Sequence, residues 1–347
     1  MPKLHEIVNA TNLQDYTYEI PVDNGVIDAL FPETKQEALT LEYIKGGEGL
    51  PVVASVHSWD AETEIGDREA FEIMSMELAQ VRRKLKLSAK DAMVIETPRN
   101  DRELTERIAK VFDDANDLVK AVRTRYIAMA FEALTTGKLT FDENGYQGTL
   151  DYKLPSAHTS TPSTKWSTAS AKPMDDIRSW QDKVEDTTGS RPTRALTSRK
   201  VANTLQNNAS IRSAIYGTNS DRLVSFAVLN SFFAEQGLPQ LQVEEGKYRK
   251  RVLKEGKYVN ETIRYIPEDS FILLPDGILG HRVFGPTPEE LVLRQTNEVN
   301  DAKVGNIVVD TYVTDDPVAR WVRASGMGLP SFPAADKVYI ATKVVAS

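Results

Sequence analysis

The chain has no cysteine. That excludes disulfides, thiolate nucleophiles and sulfur-ligated zinc, and it suits a reducing compartment. No apolar run approaches the roughly 20 residues that a membrane-spanning helix needs. The first residues, MPKLHEIVNA, hold no uninterrupted hydrophobic segment of the signal-peptide kind. Histidine is scarce. His5, His57, His158 and His281 are the only four, and no two have a metal-ligand spacing such as HExxH. His57 has Asp60 three residues on, but no third ligand follows. A GxSxG elbow is missing. The glycine clusters GGEGL at 46–50 and SGMGLP at 325–330 lack the GxxxxGKS/T order of a phosphate-binding loop and read as turns. Asp113–Asp114 and Glu289–Glu290 fall in predicted helices. Adjacent acids there point to different faces, which favours solvation over paired acid–base chemistry. No catalytic, metal or cofactor site assembles from these residues, and the reading is that of a non-enzyme.

Positive charge is also in short supply. The 347 residues carry a formal net charge of −8. Phosphate affinity comes from concentrated Lys and Arg, so a grip on nucleic acid is not expected, although an acidic wall can enclose it. Aromatic residues are not read as interleaved with Lys and Arg in a stacking surface.

What is present begins with one long helix. Between Asp101 and Thr136, apolar residues recur at Leu104, Ile108, Val111, Ala115, Leu118, Val122, Tyr126, Met129, Ala133 and Leu134. These are the three- and four-residue steps of a single helical stripe, and no Pro or Gly interrupts them. Asn100 is placed as N-cap, Glu103 as a capping-box acid, and Gly137 for the C-terminal turn. At about 1.5 Å per residue such a rod is roughly 50 Å long. A protein that must span distance has use for it.

Around this helix the chain changes character several times. Residues 1–38 lack a strong period and are broken by Pro21, Asn24–Gly25 and Pro32, which reads as an extended arm. LTLEYIKG at 39–46 and PVVASV at 51–56 read as strands. Asp60, Glu62, Glu64, Asp67, Glu69, Glu72 and Glu77 then make an acidic run against Arg68 alone. A basic cluster follows at Arg82, Arg83, Lys84, Lys86 and Lys90. The pair reads either as two solvated faces or as an acidic loop with a basic root, suited to docking between copies. KLTFDENGYQGTLDYKL at 138–154 is a hairpin with Asn144–Gly145 at its turn. The Ser/Thr/Pro-rich stretch 155–173 reads as a linker or loop, with Trp166 out of character in it. Residues 174–300 read as an α/β unit. Helices are predicted at 174–188, 198–215 and 224–236, and strands near 193–197, 240–244, 248–254, 257–265, 270–274 and 279–284. NIVVDTYVT, ARWVRAS and KVYIATKVV then give three returning strand-like runs.

This order of arm, long loop, long helix, hairpin, α/β unit and returning strands resembles the major capsid proteins of tailed bacteriophages. The segment Asp310-Thr311-Tyr312-Val313-Thr314, then Asp316-Pro317-Val318-Ala319-Arg320-Trp321-Val322-Arg323-Ala324-Ser325 and Leu329-Pro330, is similar to the closing segment of the lambda-type, or capsid-E, family. FPET at 31–34 and FILLPDG at 271–277 are similar too. The resemblance implies an α+β, tailed-phage capsid fold. It implies an N-terminal arm at 1–38, an extended loop at 39–88, a peripheral domain with a spine helix at 89–155, an axial domain at 156–299, and returning strands of the peripheral domain at 300–347.

The same resemblance implies a structural protein that self-assembles as pentamers and hexamers into an icosahedral shell enclosing DNA without sequence-specific binding. Scaffold, portal and decoration proteins would be separate chains. Assembly would take place in the host cytoplasm and end in the virion capsid. Glu62, Glu64 and Asp67 are the acidic inter-subunit candidates. Arg82, Arg83, Lys84 and Lys86, with Arg320 and Arg323 as the alternative, are the basic ones. Two other readings are a tail-tube or adaptor ring protein, which a rod-like helix disfavours, and an enzyme built on 174–300, for which no polar pocket can be assembled.

Overall fold

The structure is a computed structural model, and it describes residues 9–19, 25–45, 72–87, 101–143, 145–217, 222–254, 256–295, 305–316 and 318–346. The helices are α1 (Ala10–Glu19), α2 (Val26–Leu30), α3 (Asp101–Thr136), α4 (Pro173–Thr188), α5 (Arg199–Asn207), α6 (Ala209–Tyr216), α7 (Phe226–Glu235) and α8 (Pro288–Gln295). The first strands are β1 (Glu33–Lys35), β2 (Thr40–Lys45), β3 (Glu72–Glu77), β4 (Ala79–Leu87), β5 (Lys138–Glu143), β6 (Tyr146–Asp151), β7 (Thr159–Ser160) and β8 (Arg194–Thr197). They are followed by β9 (Gln240–Val243), β10 (Lys247–Lys254), β11 (Lys257–Arg264), β12 (Phe271–Leu274), β13 (Arg282–Phe284), β14 (Ile307–Asp315), β15 (Val318–Pro330) and β16 (Tyr339–Ala341).

The chain divides into two compact units. The first comprises 1–41, 75–130 and 281–331, and the second the remainder. The first is organised by β15. β14 and β13 lie along one side of it, β1 extends the sheet beyond β13, and β4 runs along its other side. The stripe of α3 packs on one face of this sheet. Val111, Ala115, Leu118, Val122, Tyr126 and Met129 are all buried, as the helical period predicts. The Tyr126 ring meets Phe284 edge-on at 4.9 Å, and its hydroxyl donates to the Ala79 carbonyl at 3.3 Å. Gly326 makes this approach possible, since a Cβ there would stand 3.1 Å from the Tyr126 ring. The 325–330 glycines therefore serve strand packing inside β15, not a turn. The strand read at 39–46 starts only at Thr40, so Leu39 lies outside it and is 55% exposed, whereas Leu41 is buried.

Helix α1 was not foreseen, because Thr, Asn, Asp and Tyr are weak helix formers. Asn9 caps it by accepting from the Asn12 N–H at 2.7 Å. Leu13 is buried, and the buried Gln14 amide donates to the Ile307 carbonyl at 3.3 Å and accepts from the Val309 N–H at 2.9 Å. The segment after it is clamped by Arg282, which is buried in β13. Its Nε donates to the Phe31 carbonyl at 2.9 Å, and its guanidinium pairs with Asp28 and with Glu33.

In the second unit the sheet order is β7-β16-β12-β8-β9, with β12 buried along its whole length. The predicted helix at 198–215 is two helices. Asn208 breaks it and caps α6, its side chain accepting from the N–H of Ser210 at 3.0 Å and of Ile211 at 3.4 Å. The stretch 155–173 is built into this unit instead of acting as a loose linker. β7 pairs with β16, and Trp166, 1% exposed, stacks on Trp180 at 5.6 Å and donates its Nε1–H to Asp176 at 2.8 Å. Burial raises the Asp176 carboxyl above its ordinary value, against the lowering effect of the hydrogen bond it accepts from Trp166. The returning runs also part company. β14 and β15 join the first sheet, while β16 pairs with β12 in the second, after β15 ends at Pro330 and Pro333 opens a short helical turn.

Candidate inter-subunit surface

The basic cluster lies on β4, which pairs only with β15 among the described residues. Register places Arg82, Lys84 and Lys86 opposite Ser325, Arg323 and Trp321, with Asp310 and Tyr312 opposite Arg323 and Trp321 on β14. Residues directly opposite share a face, so these side chains gather on the side of the sheet away from α3.

That face is already partly neutralised. Glu289 and Glu290, read from sequence as solvated, are both buried at the start of α8, at 5% and 2% exposure. Glu289 Oε1 lies 3.0 Å from Arg82 Nε and 3.2 Å from Arg323 Nη1. Arg323 also grips Asp310 with two hydrogen bonds, of 3.0 and 2.5 Å. These bonds hold its guanidinium proton more firmly than usual. Glu290 pairs with Lys35 at 3.1 Å and with Arg294 at 2.5 Å. Burying two adjacent carboxylates is tolerated because each has its own cations and both sit in the favourable field of a helix N-terminus. The sequence held one local sign of this. Thr287-Pro288-Glu289-Glu290 has capping-box spacing, and Thr287 Oγ1 accepts from the Glu290 N–H at 3.1 Å. The cations come from positions far away in the chain, which no local pattern reveals.

Of the remaining candidates, Lys84 donates to the Tyr312 hydroxyl at 3.1 Å and stands 4.4 Å from the centroid of the Trp321 ring, with Lys86 at 5.9 Å from the same ring. Arg83 is exposed on β4, and Arg320 is half-buried on β15. Glu62, Glu64 and Asp67 lie outside the described residues, as do His5, His57, Asn100, Asn144 and the strand expected at 51–56. A further cation–ring contact lies in the second unit, where Arg251 stands 4.2 Å from the Tyr258 ring centroid.

A second basic surface lies on the β10–β11 hairpin of the second unit. Lys247, Arg249 and Arg251 are exposed at alternate positions of β10. Among the described residues, no group of three or more His, Asp or Glu is arranged to hold a metal ion, and no helix is long and apolar enough to cross a membrane.

The sequence profile of the phage major capsid protein E family matches residues 9–343. No curated protein sequence matches the chain. Among solved structures, the fold is similar to that of a protein described as a candidate prophage capsid protein of E. coli CFT073, at 15% identity over 98% of this chain and 99% of that one, with a TM-score of 0.62. It is also similar to a phage-related protein of Bordetella bronchiseptica RB50, at 11% identity over 96% and 97% of the two chains, with a TM-score of 0.55.

Proposed function

The chain belongs to the phage major capsid protein E family, and from that premise we propose how its copies meet one another. It is a structural protein of the capsid, and its copies form the shell. The observation that carries this is the family match across nearly the whole length, supported by an end-to-end fold similarity to a candidate prophage capsid protein.

In our reading the peripheral part of the subunit, expected at 89–155 with 300–347, is centred on the first sheet, and the axial part that surrounds five-fold and six-fold axes, expected at 156–299, on the second. Residues 39–88 carry the segment that reaches a neighbour, and 1–38 the arm. The acidic run with Glu62, Glu64 and Asp67 docks on a basic surface of another copy. Arg83, Lys84 and Lys86 on β4, with Arg320 on β15, are the candidate receivers in the first unit. Arg82 and Arg323 are weaker ones, because Glu289 already engages both. The shell encloses DNA without reading its sequence, any scaffold, portal or decoration protein is a separate chain, assembly takes place in the host cytoplasm, and no catalytic step is involved.

Negative-stain microscopy of the full chain, produced together with its neighbouring genes, tests this reading. Closed shells are expected. Open tubes or dispersed monomers would overturn it.

A further inference from the structure

We propose that the solvent-facing side of the β10–β11 hairpin is the basic surface that receives the acidic run of a second copy of this chain. The inference rests on the shell-forming reading and names the receiver within it.

The hairpin is an island of positive charge. Residues 247–264 hold seven basic and two acidic side chains, a net of +5 in a chain of −8. Register sorts these charges by face. Lys247 is opposite Arg264, Arg249 opposite Thr262, Arg251 opposite Asn260, and Leu253 opposite Tyr258, so this face carries four cations and no carboxylate. Lys247, Arg249 and Arg251 on it are exposed, as are Thr262, Asn260 and Tyr258. The first three make no ion pair among the described residues, whereas Arg264 is held by Glu268 at 2.7 Å.

The opposite face is the one that anchors the hairpin. Tyr248 stacks on Tyr265 at 5.2 Å, and Tyr265 stacks on Phe131 at 4.8 Å. Lys250 pairs with Glu143 at 2.5 Å, and Lys254 pairs with Glu261. Gly246 lets the Tyr265 ring close in, since a Cβ there would stand 2.6 Å from it. The cationic face is thus presented by a strand pair whose back is held.

Charge complementarity identifies the occupant. Residues 60–77 carry seven acids against one arginine, a net of −6, and every copy brings one such run for each hairpin. A duplex nucleic acid is the less favoured partner, because the chain outside the hairpin carries a net −13 and repels a polyanion at long range. β4 is the weaker receiver, because Glu289 already engages Arg82, whereas Lys247, Arg249 and Arg251 make no ion pair among the described residues.

The test measures assembly of the full chain by light scattering and sedimentation at low and high salt, with thermal unfolding as the folding control. Lys247→Glu, Arg249→Glu and Arg251→Glu together are expected to slow assembly at least about tenfold at low salt, the scale of electrostatic steering. The corresponding Gln triple should fall between them and the parent, and adding Glu62→Lys, Glu64→Lys and Asp67→Lys should restore much of the rate. If instead Arg83→Glu, Lys84→Glu and Lys86→Glu slow assembly and are rescued by the acidic reversal, while the hairpin variants assemble normally, the hairpin inference fails and the docking reading stands. If neither basic set matters, both fail. Normal assembly of the hairpin variants into shells holding less nucleic acid, read by absorbance ratio, would also overturn the inference in favour of a DNA contact.

Discussion

Glu289 holds the Arg323 guanidinium at 3.2 Å while its own side chain is only 4% exposed. The same carboxylate oxygen also meets Arg82 at 3.0 Å, so one buried acid ties β4, β15 and α8 together. Glu289→Ala is expected to leave two cations short of a partner and to lower stability by about 2–3 kcal/mol, the scale of hydrogen bonds to charged groups. Denaturant unfolding of the full chain checks this. A midpoint unchanged from the parent would mean that solvent satisfies both arginines.

Leu118 lies on the buried stripe of α3. Leu118→Asp would place an unpaired charge in the core of the first unit and is expected to cost several kcal/mol. Leu118→Ala should cost about 2–5 kcal/mol. Soluble, fully assembled Asp variant would contradict the register of the helix.

His158 is buried with its Nε2 2.8 Å from Thr187 Oγ1. Burial holds its pKa below the ordinary 6.5, against the opposing effect of the Asp336 backbone carbonyl, which favours the charged ring. The unfolded chain therefore binds a proton more readily than the folded one. The stability linked to this residue is complete above about pH 6.5 and declines as pH falls through the depressed folded value. Comparing unfolding at pH 7.5 and 5.5, a His158→Gln variant should show a shallower loss on acidification than the parent. Equal losses would remove His158 from the acid response.

Deleting residues 60–68 should abolish shells and leave thermal unfolding nearly unchanged, because the charge-rich, Gly-punctuated sequence there offers little to a core. Sedimentation separates the outcomes. Normal shells from the deleted chain would show that this segment does not reach a neighbour.

The parts of the fold that were legible in the sequence are those written in a local period. Helix α3 announces its bounds through its stripe, and FILL at 271–274 announces a buried strand through its apolar run and the Pro275-Asp276-Gly277 stop. Helix α1 was not legible, because its order comes from Gln14 meeting Ile307 and Val309, and from Ala10 packing with Leu293 and Val308, all far away in the chain. The same limit applied to the candidate surface. Arg82 and Arg323 look solvent-bound until the fold brings Glu289 to them, and KYRKRVLK reads as an ordinary strand until its register shows three exposed cations on one side.

Gln14 has a consequence for how this protein behaves before it has partners. Among the described residues β14 is the outermost strand of its sheet, and Gln14 takes up one carbonyl and one N–H of that strand, as a single residue of an added strand would. A subunit made in many copies at once is exposed to strand-by-strand polymerisation at open sheet edges. One side-chain amide here blocks such a site, which favours ordered association over fibrous by-products.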